Sequence, residues 1–467
     1  MAEMQDVVII GGGAGGFAAA IRAAQLGGKV TVVESTHYGG NCMNTACIPL
    51  TFLLTVAGHV DLARKAARFG IQMDEPKVDM EALHERKDLI VDSLRLGTEQ
   101  QMVDYGVTLI EGRGKLVARD MVQVDPLPGS SLEQQRIPAR NVIVATGSAP
   151  AQLPLEGADL PGVFGTEEAI QLREIPGRVA VISSQPWDVE LAQYFHAMGS
   201  AVTLIHSGDQ LLPQADRGCA QRLAKRLHDT GITIQRRADV EGIRQEDDGS
   251  LKVLLAGSER EVVVDKLLAA RRLSNSAGLG LRQVGIEMEG ASVLVDERMA
   301  TSVPGIYAIG DVTAGAMWSH KANSEGIVAA ENAMGLASRM RYDILPHCAF
   351  TRPQVAWVGL TEEEAEAQGI EYEVGKVPVA INPYAMILDE TAGELKVIAC
   401  KKYGKILGAH LVAPGAVDLI NAVAVAMLAE ATIQELMDFI PRHPSIGEAL
   451  VDAAMDVKKR SLHMPKW

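Results

Sequence analysis

The 467-residue sequence has little cysteine, few aromatic residues and no excess of basic charge. Its five cysteines are too few for a disulfide scaffold, so a reducing compartment is expected, where any disulfide would be catalytic. Lys and Arg number 44 against 59 Asp and Glu, and the formal charge of −15 argues against nucleic acid or an anionic membrane as a partner. The apolar stretch at residues 422–429 is too short to cross a bilayer, so no membrane span is expected.

The opening, MAEMQDVVII, has neither a basic segment nor a long apolar core, which predicts no secretory signal and a cytoplasmic location. The length suits two to four domains. With 47 % hydrophobic residues and 45 glycines, the composition favours an α/β protein with many tight strand–helix turns.

Glycine is also absent from a turn where a nucleotide-binding unit would need it. Residues 179–195, VAVISSQPWDVELAQYF, have the pattern of a strand, a short turn and an amphipathic helix. No glycine lies between Gly177 and Gly199, so this unit has the scaffold of a dinucleotide site without its phosphate-binding turn.

An earlier unit of the same pattern is complete. Gly11, Gly13 and Gly16 form a G-x-G-x-x-G turn between a buried strand and a helix, and Glu34 ends the next strand. Such glycines allow a tight turn and close backbone approach to a pyrophosphate, and the acid can accept hydrogen bonds from ribose hydroxyls. The alternative is a purely structural glycine-rich turn, but the strand, spacing and acid together favour a dinucleotide site.

Two cysteines follow this unit. Cys42 and Cys47 lie at the predicted start of a helix, whose dipole would stabilise a thiolate. Two small buried residues that happen to be close are the alternative interpretation. Their position beside a dinucleotide site favours a redox pair.

These motifs identify a resemblance. GGNCMNTACIP (39–49) resembles the redox-disulfide signature of the class I pyridine nucleotide-disulfide oxidoreductases, which include dihydrolipoamide dehydrogenase, glutathione reductase and mercuric reductase. ATGSAP (145–150) resembles the family's second flavin-contacting turn, and TSVPGIYAIGDV (301–312) its last FAD motif. RHPSIGEAL (442–450) resembles its H-P-T-x-x-E element. The likeness covers essentially the whole chain, with the motifs in the family's order.

The resemblance implies an α/β fold with two doubly wound Rossmann-like dinucleotide-binding domains and a C-terminal α+β dimerisation domain. The expected division is an FAD-binding domain at 1–149 and 272–343, an NAD(P)-binding-like domain at 150–271 and an interface domain at 344–467.

It also implies catalytic roles. Cys42 would be the interchange thiol that reacts with substrate sulfur, and Cys47 the charge-transfer thiol beside FAD. His443 would act as the base, oriented by Glu448. By itself His443 could equally be a capping or surface residue. In the family this His comes from the other subunit, so a homodimer with a shared active site is expected.

FAD is the implied cofactor, and binding of NAD(P) is doubtful. Asp311 would hold the ribityl chain, while Met317 and Trp318 would lie along the flavin, although Trp318 could equally be a core residue. The full set of expected cofactor-binding residues is Gly11, Gly13, Gly16, Glu34, Gly40, Asn41, Thr51, Gly114, Ala145, Thr146, Gly147, Asp311, Met317, Trp318 and Ser319.

The sequence departs from the family near the flavin. Where the family has Ser-Lys after C-I-P, this chain has Leu50 and Thr51. Glu190 still occupies the position of the Glu that pairs with that Lys. The loss of the cation should make FAD harder to reduce, unless another cation replaces it.

The other departures concern NAD(P). The second G-x-G-x-x-G falls on Ser183 to Asp188, which places Gln185 and Trp187 where the phosphates need space and a carboxylate at the positive end of a helix. His206 stands where an acid should bind the NAD ribose. LAARRLSNSAG (268–278) also lacks the Gly and Pro of the family's A-x-G-R-x-P-N turn.

Three hypotheses follow. The first is a homodimeric FAD enzyme that moves electrons between a lipoyl-like dithiol, free or on a carrier protein, and a protein, quinone or oxygen acceptor. The second is a conventional dihydrolipoamide:NAD+ oxidoreductase with an atypical NAD site. The third is a flavin-containing electron-relay or structural subunit with a vestigial disulfide, which the retention of both cysteines, His443 and Glu448 disfavours.

Mercuric reductase activity is disfavoured because the tail SLHMPKW lacks a cysteine pair. Cys219, Cys348 and Cys400 lack metal-ligand spacing, so no metal site is predicted.

Overall fold

The computed structural model describes residues 3–257, 261–269 and 271–464. The chain divides into two compact units. Unit 1 comprises Met1–Leu53, Lys77–Ala151 and Arg271–Arg341. Unit 2 comprises Leu54–Pro76, Gln152–Ala270 and Tyr342–Trp467.

Unit 1 is built around a seven-stranded sheet that is parallel at one end and antiparallel at the other. Alternate residues of its first strand, Val7 and Ile9 against Val8 and Ile10, enter the cores on the two faces of the sheet, as the period of two requires. The sheet order is Thr108–Glu111, Val30–Glu34, Gln5–Ile10, Gln135–Val144, Met121–Asp125 and Arg113–Ala118, with Ile306–Ala308 paired to Gln135–Val144. Two short antiparallel pairs join Ser148–Ala151 to Arg271–Ser274 and Met288–Glu289 to Ser292–Val293.

The helices that carry the candidate site also lie in unit 1. Glycine lets two of them pack closely, since a Cβ at Gly15 would lie 2.9 Å from the carbonyl oxygen of Ala322, and one at Gly326 2.3 Å from that of Gly15. The helices are Ala14–Gln25, Gly40–Asn44, Met80–Asp104 and Ser319–Ala333, with Cys47–Arg64 continuing into unit 2 and a 3-10 turn at Gly310–Val312.

Unit 2 contains a second parallel sheet of five strands. Its order is Thr233–Arg236, Ala201–His206, Arg178–Ile182, Lys266–Leu268 and Val163–Phe164. The helices beside it in the chain are Thr166–Gln171, Pro186–Ala197 and Arg217–Thr230. A three-stranded antiparallel sheet follows, formed by Val240–Gln245, Leu251–Leu255 and Glu261–Val264.

The rest of unit 2 is an antiparallel sheet covered by helices. The strand order is His347–Ala349, Gln354–Gly359, Ile406–Ala413, Glu394–Cys400 and Tyr372–Pro378. The helices are Glu362–Ala367, Pro383–Ile387, Ala416–Leu428, Ile433–Asp438 and Gly447–Val457. Short 3-10 turns lie at Ala66–Phe69, Tyr342–Ile344 and Val379–Ile381.

A buried ion cluster joins the two parts of unit 2. The ammonium of Lys396, on the antiparallel sheet, contacts both carboxylate oxygens of Asp216 at 2.8 and 2.7 Å and Glu362 at 2.7 Å. Asp216 also caps helix Arg217–Thr230 through the backbone N–H groups of Gly218 and Cys219. These contacts stabilise the packing of helix Arg217–Thr230 against the C-terminal sheet.

The predicted mixed α/β class, with two parallel sheets and a C-terminal antiparallel sheet, is confirmed. Sequence patterns missed the three-stranded sheet of residues 240–264 and helix Ile433–Asp438. Helical patterning predicts a helix over about residues 45–66, and one is present, but no stretch was expected to be long enough for a span, whereas Gly40–Arg64 is long and apolar enough to cross a membrane by length and composition. Core helices of soluble proteins pass the same test, so a single stretch of this kind is weak support for a span.

Candidate redox-active disulfide site

The first nucleotide turn has the steric requirements of a phosphate-binding loop. A Cβ at Gly11 would lie 2.3 Å from the carbonyl oxygen of Ala145, and one at Gly16 would lie 1.9 Å from that of Gly11. At Gly13 a Cβ would meet only Gly40, at 3.7 Å. Gly11 and Gly16 therefore serve close packing, whereas the backbone at Gly13 borders open space at the start of helix Ala14–Gln25.

Glu34 holds this turn together from the end of strand Val30–Glu34. Its Oε2 accepts a hydrogen bond from the N–H of Gly12 at 2.7 Å. Its Oε1 accepts from the N–H groups of Ser35 and Thr36 at 2.8 and 2.7 Å. The carboxylate is thereby fixed at the carboxyl end of its strand, where it could also accept a hydrogen bond from a ribose.

The two cysteines lie on adjacent helices. Cys42 is half-buried in helix Gly40–Asn44, and Cys47 is exposed as the first residue of helix Cys47–Arg64. A hydrogen bond from the Cys47 thiol lowers the pKa of Cys42 to about 7, and burial opposes this shift. The pKa of Cys47 is raised, first because it gives its proton to that hydrogen bond. The pair thus loses its first proton near neutral pH, which makes Cys42 the more nucleophilic thiol.

Polar contacts connect the cysteine segment to Asp311. The side-chain amide of Asn41 donates to the carbonyl of Ser148 at 2.8 Å. The hydroxyl of Ser148 donates to Asp311 at 2.7 Å, and Arg272 donates to the same hydroxyl at 2.9 Å. Ser148 lies in the motif at residues 145–150 and Arg272 in that at 268–278, but neither motif indicates these contacts.

A buried ion pair also stabilises the turn that carries Asp311. The ammonium of Lys321 lies 3.1 Å from Oε1 of Glu325, one helical turn away, and both side chains are buried. Oε2 of Glu325 accepts from the N–H of Gly310 at 2.6 Å. This pair fixes the turn that presents Asp311, and the sequence reading did not single it out.

The remaining predicted cofactor residues lie in the same unit. Gly40 follows Gly39 in a left-handed turn, where a Cβ on Gly40 would lie 2.7 Å from Gly13. Gly114 is packed under the side chain of Ile10, with a Cβ distance of 3.0 Å, and so serves the core of the sheet. The others are Thr51 in helix Cys47–Arg64, Ala145, Thr146 and Gly147 after strand Gln135–Val144, and Met317 and Trp318 before helix Ser319–Ala333.

This donor set fits FAD. If FAD binds here, the backbone at Gly13 would hold a pyrophosphate, the fixed carboxylate of Glu34 a ribose and the carboxylate of Asp311 a ribityl chain. Among residues 3–257, 261–269 and 271–464, no group of three or more His, Cys, Asp or Glu side chains could hold a metal ion.

The predicted base lies in unit 2. Nδ1 of His443 is 2.8 Å from Oε1 of Glu448, and the imidazole side chain is 72 % exposed. Asp452, on the helix that carries Glu448, makes a second pair with Nδ1 of His463 at 2.7 Å. The tail was noted only for lacking cysteines, so this second pair was missed.

The glycine-free turn of unit 2 is filled by its own side chains. Asp188 is 1 % exposed and accepts hydrogen bonds from Ser183 at 2.6 Å and Thr166 at 3.1 Å. Pro186 is the first residue of helix Pro186–Ala197, so the helix lacks one N–H group that could bind a phosphate. The predicted carboxylate at the helix end is present, but it is buried in internal hydrogen bonds.

His206 ends strand Ala201–His206 and is 4 % exposed. Burial and the charge of Arg236 lower its pKa, so it is neutral at physiological pH. A neutral, buried imidazole cannot replace an acid that accepts hydrogen bonds from both hydroxyls of a ribose.

Helix Pro186–Ala197 retains a structural role. Glu190 accepts a hydrogen bond from the N–H of Phe350 at 2.7 Å, and Gln193 accepts from that of Arg352 at 2.7 Å. The helix is therefore anchored to the connection between strands His347–Ala349 and Gln354–Gly359 of the C-terminal sheet.

Comparisons with known proteins agree with this geometry. The family described as pyridine nucleotide-disulphide oxidoreductase matches residues 5–335, and its dimerisation domain matches residues 345–454. Mitochondrial dihydrolipoyl dehydrogenase from Pisum sativum is 34 % identical over 470 residues, which cover 99 % of this chain and 93 % of the relative. Dihydrolipoyl dehydrogenase from Thermus scotoductus is 36 % identical over 467 residues, which cover 98 % of each chain.

Solved structures give the same result. LpdA from Mycobacterium tuberculosis superposes with a TM-score of 0.89 at 26 % identity, covering 96 % of this chain and 98 % of that one. The HOCl-induced flavoprotein disulfide reductase RclA from Escherichia coli, in a Cu(II) complex, gives 0.86 at 28 % identity, covering 97 % and 99 %. The chain therefore belongs to the class I pyridine nucleotide-disulfide oxidoreductases, a family of FAD-dependent oxidoreductases that act on sulfur groups.

Proposed function

We propose that this protein is a homodimeric dithiol:disulfide oxidoreductase that oxidises a lipoyl-like dithiol, free or on a carrier protein, and delivers the electrons to an acceptor other than soluble NAD(P). The observation that carries this proposal is the coexistence of a complete dithiol site with a nucleotide turn filled by its own side chains.

The substrate step follows from the residues that are present. His443 accepts the proton of one substrate thiol, and the resulting thiolate attacks the sulfur of Cys42. The Cys42–Cys47 bond breaks and leaves a thiolate on Cys47. The second substrate thiol displaces Cys42 from the mixed disulfide and its proton passes to the departing Cys42 sulfur, so the substrate becomes a disulfide and the protein carries a thiol on Cys42, a thiolate on Cys47 and one proton on His443. When bound, FAD supplies the route by which the electron pair of this dithiol leaves the site.

The homodimer is supported by the exposure of the base and its surroundings. Phe439 and Ile440, just before His443, are 55 % and 88 % exposed. Val425 and Leu428 on helix Ala416–Leu428 are 65 % and 57 % exposed. Apolar side chains at such exposure favour burial against a second copy. We infer that His443 serves the cysteine pair of the partner subunit.

An acceptor other than NAD(P) is supported by three features of the second turn. Pro186 removes a phosphate-binding N–H, the carboxylate of Asp188 lies in the first turn of the helix, and His206 takes the position of the ribose acid. A pyrophosphate there would meet negative charge and side chains instead of open backbone. A protein, a quinone or oxygen are the acceptor classes we propose, in a cytoplasmic setting that the low cysteine content favours.

A conventional dihydrolipoamide:NAD+ activity is the second candidate. It is favoured by the identity of 33–36 % with dihydrolipoyl dehydrogenases over nearly the whole chain.

Anaerobic reduction by dihydrolipoamide tests the proposal that the protein oxidises a dithiol. The flavin of the holoenzyme is expected to be reduced within seconds, and a Cys47→Ser variant is expected to resist reduction. Cys219→Ser is the matched control, because that thiol is buried away from solvent. Normal reduction of Cys47→Ser would remove the disulfide from the mechanism.

A further inference from the structure

The hydroxyl of Ser319 lies beside Cys47, the exposed cysteine of the pair. Its Oγ lies 3.4 Å from Sγ of Cys47, within hydrogen-bond distance for sulfur. The two residues are 272 positions apart, and each is the first residue of a helix, Ser319–Ala333 and Cys47–Arg64 respectively. The fold therefore brings a donor from one helix start to a thiol at another.

The hydroxyl has no competing structural task. Serine at a helix start usually caps the helix, but the capping position here is Trp318, and no side-chain cap is formed. The Ser319 hydroxyl lies 3.4 Å from Sγ of Cys47, and it also acts on Cys42, the other thiol of the pair. Cofactor binding was the role expected from sequence, and the contact with sulfur was not anticipated.

We propose that Ser319 is a positioning residue whose hydroxyl donates a hydrogen bond to Cys47 and stabilises the single negative charge of the reduced Cys42–Cys47 pair. The inference rests on the proposed dithiol function, because only a pair that cycles through its reduced form needs this charge stabilised.

Ionisation fixes the direction of the hydrogen bond. While both groups are neutral, either the hydroxyl or the thiol can donate. Once the pair has lost a proton, the remaining thiol proton is held between the two sulfurs, so neither sulfur has a proton to give to Ser319 and the hydroxyl must donate. Hydrogen bonds to charged groups are about twice as strong as neutral ones, so the contact favours the thiolate.

The surrounding charges are consistent with this role. The Ser319 hydroxyl lowers the pKa of both thiols, while the negative charge of Asp311 raises that of Cys42. The backbone N–H of Cys47, at the start of its helix, lowers the pKa of both. The hydrogen bond from Cys47 lowers the pKa of Cys42 most, and Ser319 and this N–H group add to that effect against burial and the nearby carboxylate.

The test measures the pH dependence of Cys42 alkylation in the reduced holoenzyme, with iodoacetamide as the probe and mass spectrometry to locate the product. Ser319→Ala removes the donor, Ser319→Thr retains a hydroxyl, and Ser324→Ala alters an exposed serine of the same helix. We expect Ser319→Ala to raise the apparent first pKa of the pair by about one unit, which slows alkylation about tenfold below that pKa.

Ser319→Thr and Ser324→Ala are expected to keep the wild-type profile. A wild-type profile in Ser319→Ala would overturn the proposal, and so would a shift in Ser324→Ala equal to that in Ser319→Ala. Because alkylation needs neither substrate nor acceptor, it gives its answer even if dihydrolipoamide fails to reduce the protein, a failure that would count against the proposed function alone.

Discussion

Nδ1 of His443 lies 2.8 Å from Oε1 of Glu448, and Oε2 of the same carboxylate accepts from the N–H of Ser445 at 2.9 Å. Burial acts to raise the pKa of Glu448, but these hydrogen bonds and the charges of His443 and His463 lower it overall. The carboxylate therefore stays ionised and can accept from Nδ1–H, the tautomer in which Nε2 would take a proton from a thiol in the proposed mechanism.

Single substitutions of His443 and Glu448 should distinguish the effect of the proposed base from that of the carboxylate that orients it. His443→Gln is expected to slow reduction of the protein by dihydrolipoamide about 10²–10⁴-fold, the usual contribution of a positioned base. Glu448→Gln should have a smaller effect, because the imidazole remains. Stopped-flow absorbance of the flavin measures both rates, and His228→Gln, an exposed histidine of unit 2, is the control. Equal rates in His443→Gln and wild type would exclude His443 as the base.

Asp188 should stabilise unit 2, and its removal should not create a nucleotide site. Asp188→Ala leaves the hydroxyls of Ser183 and Thr166 without their acceptor, so the free energy of unfolding should fall by about 2–3 kcal/mol. Pro186 still removes a phosphate-binding N–H, so NADH should still not bind. Urea denaturation and NADH fluorescence measure the two effects. Micromolar NADH binding by this variant would show that the carboxylate alone closes the site.

The pair of Lys321 and Glu325 should be required for the turn that holds Asp311. Lys321→Met leaves a buried carboxylate without its cation and should lower the free energy of unfolding by about 3–5 kcal/mol and weaken FAD retention. The double variant Lys321→Met/Glu325→Gln removes the stranded charge but keeps an acceptor for Gly310. Urea denaturation should find it more stable than the single variant, and the opposite order would contradict the ion-pair account.

The sequence predicts the local motifs of the candidate site better than the contacts between residues that are far apart in the chain. Local spacing predicts the tight turn at Gly11 to Gly16, and the neighbouring motifs predict that Cys42 and Cys47 act as a pair, whose redox role stays a prediction. The contact between Ser319 and Cys47 could not be predicted, because it joins residues 272 positions apart through helix packing. The Lys321–Glu325 pair has ordinary helical spacing, and only the structure shows that it is buried.

The division of the chain into four domain segments remains a prediction, since the compact units divide it differently. The antiparallel sheet of residues 240–264 was missed because its alternating residues lie inside a region interpreted as one nucleotide unit. Asp188 was expected to repel an anion, and its burial by Ser183 and Thr166 depends on side-chain directions that a sequence does not contain.

The ion cluster around Lys396 predicts how stability depends on pH. Burial acts to raise the pKa values of Asp216 and Glu362, but the hydrogen bonds from Lys396 lower both overall. Groups with a lowered pKa in the folded state stabilise it above their unfolded pKa, about pH 4, and lose this effect as the pH falls further. Lys396→Met should therefore cost about 3–5 kcal/mol at pH 7, and less below pH of about 4.

Urea denaturation between pH 3 and pH 8 measures this difference. Lys225→Met removes an exposed ion pair with Asp229 and should change stability by at most about 1 kcal/mol. A Lys396→Met deficit that stays constant across this pH range would contradict the electrostatic origin of the effect.

The central claim, that electrons enter from a dithiol and leave by a route other than NAD(P), is tested most directly by one anaerobic experiment. The oxidised holoenzyme is mixed in a stopped-flow instrument with dihydrolipoamide or with NADH, and the flavin spectrum is followed. The account predicts rapid reduction with a long-wavelength thiolate–flavin band for the dithiol, and no reduction on that timescale by micromolar NADH. Rapid bleaching of the flavin by micromolar NADH would contradict it.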